Sequence, residues 1–358
     1  MIKKNILTIN PGSTSTKIAV FRGNDLEFLK NIKHPAEELD KFKKIVDQYS
    51  FRKNIILHEL EAASFDLKSI DAVVARGGLV KPIPSGIYIV NEKLKEDLRK
   101  GVQGQHASNL GGLIADEIAQ SLPHAKAYIT DPVVVDELQD LARITGHPKF
   151  KKNSIFHALN QKAIARTHAQ SIGKTYEEMD LIVVHLGGGI SVGAHKKGKV
   201  IDVNQALDGD GPFSPERSGS LPVGQLVSIC FSGKYTEEEI RKMIVGKGGF
   251  VAYLGSNNAY EIDQKALAGD EESLLYMRAM AYQVSKEIGS MATVLHGHVD
   301  AIILTGGIAY SKSFVQMIKE MVSFIAPVGV YPGEDEMKAL ALNGLRVLSG
   351  ELEPLEYK

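Results

Sequence analysis

Residues 5–25 read NILTINPGSTSTKIAVFRGND, and residues 181–203 read LIVVHLGGGISVGAHKKGKVIDV. The two stretches follow one pattern. In the first, the apolar run 5–10 meets the polar turn Pro11-Gly12-Ser13-Thr14-Ser15-Thr16, a second run follows at 17–21, and Arg22-Gly23-Asn24-Asp25 turns the chain again. In the second, run 181–186 meets Gly187-Gly188-Gly189. Run 190–195 follows, then the turn Lys196-Lys197-Gly198-Lys199, then run 200–203. Strand-like runs separated by glycine or hydroxyl turns predict antiparallel hairpins. The stretches lie about half a chain apart, which predicts two related halves.

Working outward, residues 301–304 read as a short buried strand followed by Thr305-Gly306-Gly307. Met277, Ala281, Val284, Ile288, Met291 and Leu295 recur every three or four residues. That period predicts a long helix with an apolar face, its methionines filling core space. Segments 71–75 and 127–130 read as strands, and 108–121 and 155–171 as helices. Alternating strands and helices make the class α/β.

A chain of 358 residues is too long for one core and suits two domains. Its formal net charge of -1 supplies no global field for nucleic acid or anionic membrane. The short lysine runs read as solvated surface, and no apolar stretch is long enough to cross a bilayer. Residues 1–10 lack the apolar core and cleavage site of a signal peptide. Cys230 is the only cysteine, so no intrachain disulfide forms, which fits a reducing compartment. Val227, Ser228 and Ile229 precede it, and this apolar setting predicts a buried structural thiol.

Three glycine or hydroxyl turns together suggest a phosphate clamp. Backbone N–H groups reach phosphate oxygens where no Cβ intervenes, and hydroxyls add donors. Each turn alone reads better as a tight hairpin. Other nucleotide motifs fail: there is no GxxxxGK[ST] loop. Around Gly187 the third glycine of GxGxxG falls on Val192, and the protein-kinase HRD and DFG segments are missing.

At this point four segments resemble the acetokinase family in order. Asn10-Pro11-Gly12-Ser13-Thr14-Ser15-Thr16-Lys17 resembles its N-terminal signature, and His185-Leu186-Gly187-Gly188-Gly189-Ile190-Ser191-Val192 its second. Arg217-Ser218-Gly219 and Thr305-Gly306-Gly307-Ile308 are similar to its R-S-G and T-G-G-I segments. Ala75-Arg76-Gly77-Gly78, residues 104–111 (GQHASNLG) and Phe156-His157-Ala158-Leu159-Asn160 resemble the branch of butyrate and branched-chain fatty acid kinases.

The resemblance implies a two-domain actin-like ATPase (ribonuclease H-like) fold with duplicated mixed sheets flanked by helices. Residues 1–153 plus 337–358 would form the acid and phosphate domain, and 154–336 the nucleotide domain and dimer interface. The implied reaction is reversible phosphorylation of butanoate or a branched-chain acid by ATP, by direct in-line transfer. Implied cofactors are ATP/ADP and Mg2+, and implied partners are a carboxylic acid or acyl phosphate and a second copy of the chain, with no nucleic acid or membrane. The implied location is the cytoplasm. Acetate or propionate kinase is the alternative enzyme, and an actin-like chaperone or scaffold the alternative class.

Roles carry over residue by residue. Arg76 and Arg217 would meet the carboxylate and the moving phosphoryl, as planar, permanently charged forks suited to oxyanions. Aligned with the acetate enzymes, Arg76 supplies its guanidinium from a shifted position. His157 would stabilise the transition state, with His106 and His185 near the phosphates and Asp131 at the active centre. Glu336 and Asp131 would hold Mg2+, with Asp335 able to replace Glu336. Asn10, Ser13, Ser15 and Lys17 make the first phosphate turn, while Thr14 and Thr16 face the sheet. Gly187, Gly188 and Gly189 make the second turn. Gly306, Gly307 and Ile308 meet adenosine, with Gly255-Ser256-Asn257-Asn258 as a weaker contact. Proximity in sequence suggests Pro82, Ile83, Pro84, Val133 and Val134 for the acyl pocket. The remaining histidines, His34 and His195 among them, read as ordinary.

Overall fold

Strand β1 (Asn5–Pro11) buries Ile6, Leu7, Thr8 and Ile9 in succession, the mark of a strand covered on both faces. The computed structural model describes residues 3–358. Met1 and Ile2, part of the segment tested above for a signal peptide, lie outside them. After β1 come β2 (Ser15–Arg22), β3 (Asp25–Lys33), β4 (Ile70–Arg76), β5 (Ile87–Ile89) and β6 (Lys126–Thr130). The next strands are β7 (Asp180–Leu186), β8 (Ile190–Lys196), β9 (Lys199–Val203), β10 (Ala301–Gly306) and β11 (Val328–Pro332). The helix Glu336–Leu348 then leads to β12 (Leu355–Glu356), which pairs with β5.

The same plan appears twice. β1, β2 and β3 form an antiparallel meander, and β4 adds parallel to β1. β7, β8 and β9 repeat it, with β10 parallel to β7. The sheets run β12-β5-β6-β4-β1-β2-β3 and β11-β10-β7-β8-β9. In the first unit, Leu7, Ile9, Ile18 and Val20 pack with Ile56, Leu60, Leu110 and Ile114 of the helices Tyr49–Ala62 and Asn109–Gln120. In the second, Ile182, Val184 and Val192 pack with Met277, Ala281, Val284 and Ile288 of the helix Glu271–Val294. The three- and four-residue spacing of those last residues is the period that predicted the helix.

The chain divides into Met1–Val135 with Asp335–Lys358, and Asp136–Glu334. The sequence reading put the first boundary later, at 153/154. The segment after Val135 is tied to the second unit. Gln139 N–H donates to Ile201 O at 2.9 Å, Val200 N–H to Glu137 Oε2 at 2.9 Å, and Lys162 Nζ pairs with Glu137 at 2.6 Å. At the other boundary, expected at 336/337, the Asp335 side chain caps the helix Glu336–Leu348 and so goes with it.

Cys230 corrects a second expectation: it is exposed. It ends the helix Val223–Cys230, in which Val223, Leu226, Val227 and Ile229 are apolar yet no residue is buried. No helix among the described residues is long and apolar enough to cross a membrane.

Close backbone approach requires glycine where β4 meets the helix Asn109–Gln120. A Cβ on Gly111 would lie 2.5 Å from Arg76 O, and one on Gly78 would lie 2.6 Å from Asn109 Cα. Both neighbours are backbone and cannot swing away. Gly111→Ala should therefore cost about 1–3 kcal/mol and lower Tm by roughly 2–10 °C in thermal unfolding. Gly289→Ala, in open space on a helix, should be neutral or stabilise by up to about 1 kcal/mol.

Candidate active site

The predicted residues fall into two sets, one on each unit. In the first unit the turn between β1 and β2 is held from behind by a buried arginine. Arg52 donates from Nη1 to Gly12 O at 2.6 Å, Ser15 O at 3.2 Å and Thr16 Oγ1 at 3.2 Å. Its Nη2 donates to Ser13 O at 2.9 Å, and Gln48 takes Nε and Nη2 at 3.2 and 2.9 Å. Those carbonyls are thus committed inward, while Ser13, Thr14 and Lys17 are exposed. Thr16 is buried as expected; Thr14 is not. Lys17 lies opposite Asn10 across the hairpin.

His34 braces the same turn. Its N–H donates to Thr14 O at 2.8 Å, and its Nε2 lies 2.8 Å from Thr16 Oγ1. Burial, then the nearby Arg52 charge, lowers the imidazole pKa to about 4. Burial likewise lowers Arg52 to about 10. Neither residue was singled out from the sequence. A signal for Arg52 did exist: with Ile56 and Leu60 it forms the buried four-residue repeat of the helix Tyr49–Ala62, and arginine at a core position needs partners.

Arg76 ends β4, and its Nη1 lies 3.4 Å from the Glu336 carboxylate. Asn10 Nδ2 donates to the same carboxylate. Asp335 instead caps its helix through Lys338 N–H at 3.2 Å, so Glu336 is the one that joins the set. Asp131 is buried with φ of 36°, a strained conformation for a residue other than glycine. Its Oδ1 accepts from Ser85 Oγ at 2.6 Å and Gly86 N–H at 3.0 Å. His106 Nδ1 accepts from Ser108 N–H at 3.1 Å, which leaves Nε2 as its protonated nitrogen when neutral. Of the suggested acyl-pocket residues, Ile83 and Val134 are core, Val133 packs against that core, and Pro82 and Pro84 are exposed.

In the second unit His157 stands at the start of the helix Ala158–Ser171. Its ring stacks on His185 of β7 at 3.7 Å and 10°. His185 Nδ1 donates to Asn160 Oδ1 at 2.8 Å, and its Nε2 lies 3.0 Å from Glu334 Oε1.

The glycine turn depends on Arg217. A Cβ on Gly189 would sit 1.9 Å from Arg217 Nη1, so a side chain there would displace the guanidinium. Nη1 donates to Ala206 O at 2.5 Å, while the buried Nε has no acceptor among the described residues. Burial lowers the Arg217 pKa, and Glu216 opposes that shift. Ser214 Oγ donates to Gly188 O at 2.6 Å. Gly306, at φ of 92°, exchanges hydrogen bonds with Gly333 at 3.1 and 2.9 Å. A Cβ on Gly306 would lie 2.3 Å from Leu186 O, which brings this turn against the end of β7. Ile308 is buried, whereas Gly307 faces open space. In the 255–258 segment, Asn257 Nδ2 donates to Glu216 at 3.3 Å and Asn258 caps a helix.

The acetokinase family pattern matches residues 151–349. Butyrate kinase 2 of Clostridium acetobutylicum is 59% identical over 358 residues, covering all of both chains. Butyrate kinase 1 of the same organism is 57% identical over 353 residues, covering 99% of each. Among solved structures, acetate kinase of Porphyromonas gingivalis aligns with a TM-score of 0.78 at 18% identity, covering 96% of this chain and 100% of that one. A propionate kinase from Francisella tularensis gives 0.76 at 18% identity, covering 95% and 98%. At that identity the structures show the fold alone, the actin-like ATPase fold.

Two outcomes follow for the first turn. Arg52→Met strands several buried acceptors and should cost roughly 2–4 kcal/mol in urea unfolding. Hydrogen exchange should also quicken at residues 13–16 and stay unchanged at 187–189. For His34, the unfolded chain takes up the imidazole proton near pH 6.5 while the folded chain resists until about 4. Its contribution is therefore full above pH 6.5 and is lost as pH falls toward 4. Urea midpoints measured across that range should decline less steeply in His34→Gln.

Proposed function

The chain belongs to the acetokinase family, and on that premise we propose that it is an ATP-dependent carboxylate kinase converting butanoate and ATP to butanoyl phosphate and ADP, reversibly. The observation that carries this reading is full-length identity of 59% and 57% to two enzymes named butyrate kinase. The site chemistry supports it. Each set holds a guanidinium and an imidazole, and the first adds hydroxyls, as suits bringing an anion to a polyanion.

Butanoate is ionised near neutral pH, so no base is required. One carboxylate oxygen bonds to the γ-phosphorus as the bond from phosphorus to the β–γ bridging oxygen breaks. ADP leaves and no proton moves. Arg76 takes the carboxylate; its 3.4 Å contact with Glu336 is long for a charge-assisted hydrogen bond and exchanges readily. Arg217 meets the moving phosphoryl, and its Nε, a buried donor with no acceptor among the described residues, is one that an incoming oxyanion would satisfy. His157 donates to the same phosphoryl, with His106 and His185 supporting the phosphates. Asn10, Ser13, Ser15 and Lys17 bind phosphate at one turn and Gly187, Gly188 and Gly189 at the other. Gly306, Gly307 and Ile308 border adenosine.

The oxygen-only pair Asp131 and Glu336 suits Mg2+, which takes one or two carboxylates and fills its shell with water and phosphate oxygens. No cluster of three or more metal-binding side chains gathers among the described residues, so the rest of that shell would be phosphate and water. When bound, Mg2+ neutralises charge on the β- and γ-phosphates.

A second copy is the partner we assign to the second unit. The exposed apolar helix Val223–Cys230, with Phe231 beside it at 87% exposure, offers a surface for it. We assign it to the cytoplasm as well, a reading that its family membership supports.

A hydroxamate assay over linear and branched acids of two to six carbons tests the activity. The four- and five-carbon acids should lead, with neighbours separated by about 1 kcal/mol per methylene, or several-fold. Preference for the two- or three-carbon acid would favour acetate or propionate kinase, and silence on every acid would sink the reading. Arg217→Ala should lower kcat about 10²–10³-fold and leave KM for ATP within about threefold, as expected when the lost contact forms only in the transition state.

A further inference from the structure

Behind His157 lies a buried hydrogen-bond chain that runs back to Tyr176 in a core cluster of the second unit. His157 Nδ1 is 2.8 Å from Ser191 Oγ. Gln161 Nε2 donates to Ser191 Oγ at 2.8 Å and to Ser191 O at 3.0 Å. Gln161 Oε1 is 2.9 Å from His195 Nε2, and His195 Nδ1 is 2.7 Å from the Tyr176 hydroxyl. Ser191, Gln161 and His195 have no exposed surface and Tyr176 almost none.

The fold reserves space for this chain. Ser191, Gly193 and His195 share one face of β8 by the two-residue period of a strand. Gln161 stands one turn beyond His157 on the helix Ala158–Ser171, its N–H donating to His157 O at 2.9 Å. A Cβ on Gly193 would lie 2.6 Å from Gln161 Oε1 and 3.1 Å from His195 Nε2. Glycine at 193 is what lets the amide and the imidazole meet.

The direction of the bonds from Ser191 O through Gln161 and His195 to Tyr176 is determined by one group. The Ser191 carbonyl can only accept, so the Gln161 amide must present its NH2 end there. Its oxygen then faces His195, whose Nε2 must carry a proton. Burial, with the charges of Lys162 and Arg166, holds the His195 pKa far below the usual imidazole range. The ring is neutral, its Nδ1 is bare, and it accepts from Tyr176. At the other end, Ser191 Oγ accepts from Gln161; its own proton is buried, and His157 Nδ1 is the acceptor within its reach among the described residues.

We propose that Tyr176, His195, Gln161 and Ser191 form a positioning relay that fixes His157 as the Nε2–H tautomer, so that this ring offers a donor and not an acceptor to the phosphoryl group. The stack on His185 fixes the ring plane, and the relay fixes the proton. The functional consequence rests on the role proposed above for His157, but the tautomer itself does not.

The test is long-range proton–nitrogen NMR on the substrate-free enzyme with nitrogen-15 histidine, above the imidazole titration range, with His157→Gln to assign the signals. His157 should show a bare Nδ1 and a protonated Nε2. Ser191→Ala and Gln161→Met should move both nitrogens toward the averaged shifts of exchanging tautomers. They should also lower kcat about 10- to 100-fold with KM for ATP nearly unchanged. A protonated Nδ1 in the wild-type enzyme would overturn the relay, as would an unaltered tautomer in both variants. The wild-type spectrum needs no variant to fold. Full activity in His157→Gln would instead remove the catalytic role and leave the tautomer result standing.

Discussion

A backbone turn can present donors to a phosphate only if its own carbonyls are held elsewhere, and in each unit a guanidinium, buried in the first and partly buried in the second, helps to shape such a turn. Arg52 gathers the carbonyls of Gly12, Ser13 and Ser15. Arg217 occupies the space that a side chain at 189 would fill, while Ser214 takes the Gly188 carbonyl. Burying an arginine is costly unless its donors are satisfied. The two solutions differ. Arg52 is surrounded by acceptors and acts as structure. Arg217 keeps Nε without an acceptor among the described residues, which is the chemistry expected of a group that meets an anion.

The duplicated sheets put these turns at equivalent places. Each lies between the first two strands of an antiparallel meander whose first strand also pairs with a parallel neighbour. Equivalent scaffolds carry different chemistry because different elements reach them. In the first unit, the β4 end and the returning helix bring Arg76 and Glu336 together with Asn10. In the second, the helix Ala158–Ser171 lays His157 over His185, and the Gly306 turn abuts the end of β7.

Much of this was legible in the sequence because it is local. Hairpins, their turns and the long methionine-bearing helix follow from short-range pattern, and the ordered motifs led to the family. What pattern could not supply is contact across the chain. Arg52 reaches a turn some forty residues upstream, and only its place in a buried repeat marks it. His195 reads as an ordinary strand residue until Gln161 is found against it. Cys230 was expected inside because its neighbours are apolar, yet no residue of that helix is buried. The domain boundary moved because Glu137 and Gln139 bond to residues far along the chain, which composition does not reveal.

The central claim is that an oxygen of the acid's own carboxylate forms the new bond to the transferred phosphorus. Butanoate carrying heavy oxygen at both carboxyl positions tests it most directly, with the product trapped by hydroxylamine and both fragments weighed by mass spectrometry. Direct transfer predicts one labelled oxygen in the released phosphate and the other in the hydroxamate. Label found in a nucleotide, phosphate with none, or no transfer at all would contradict the account.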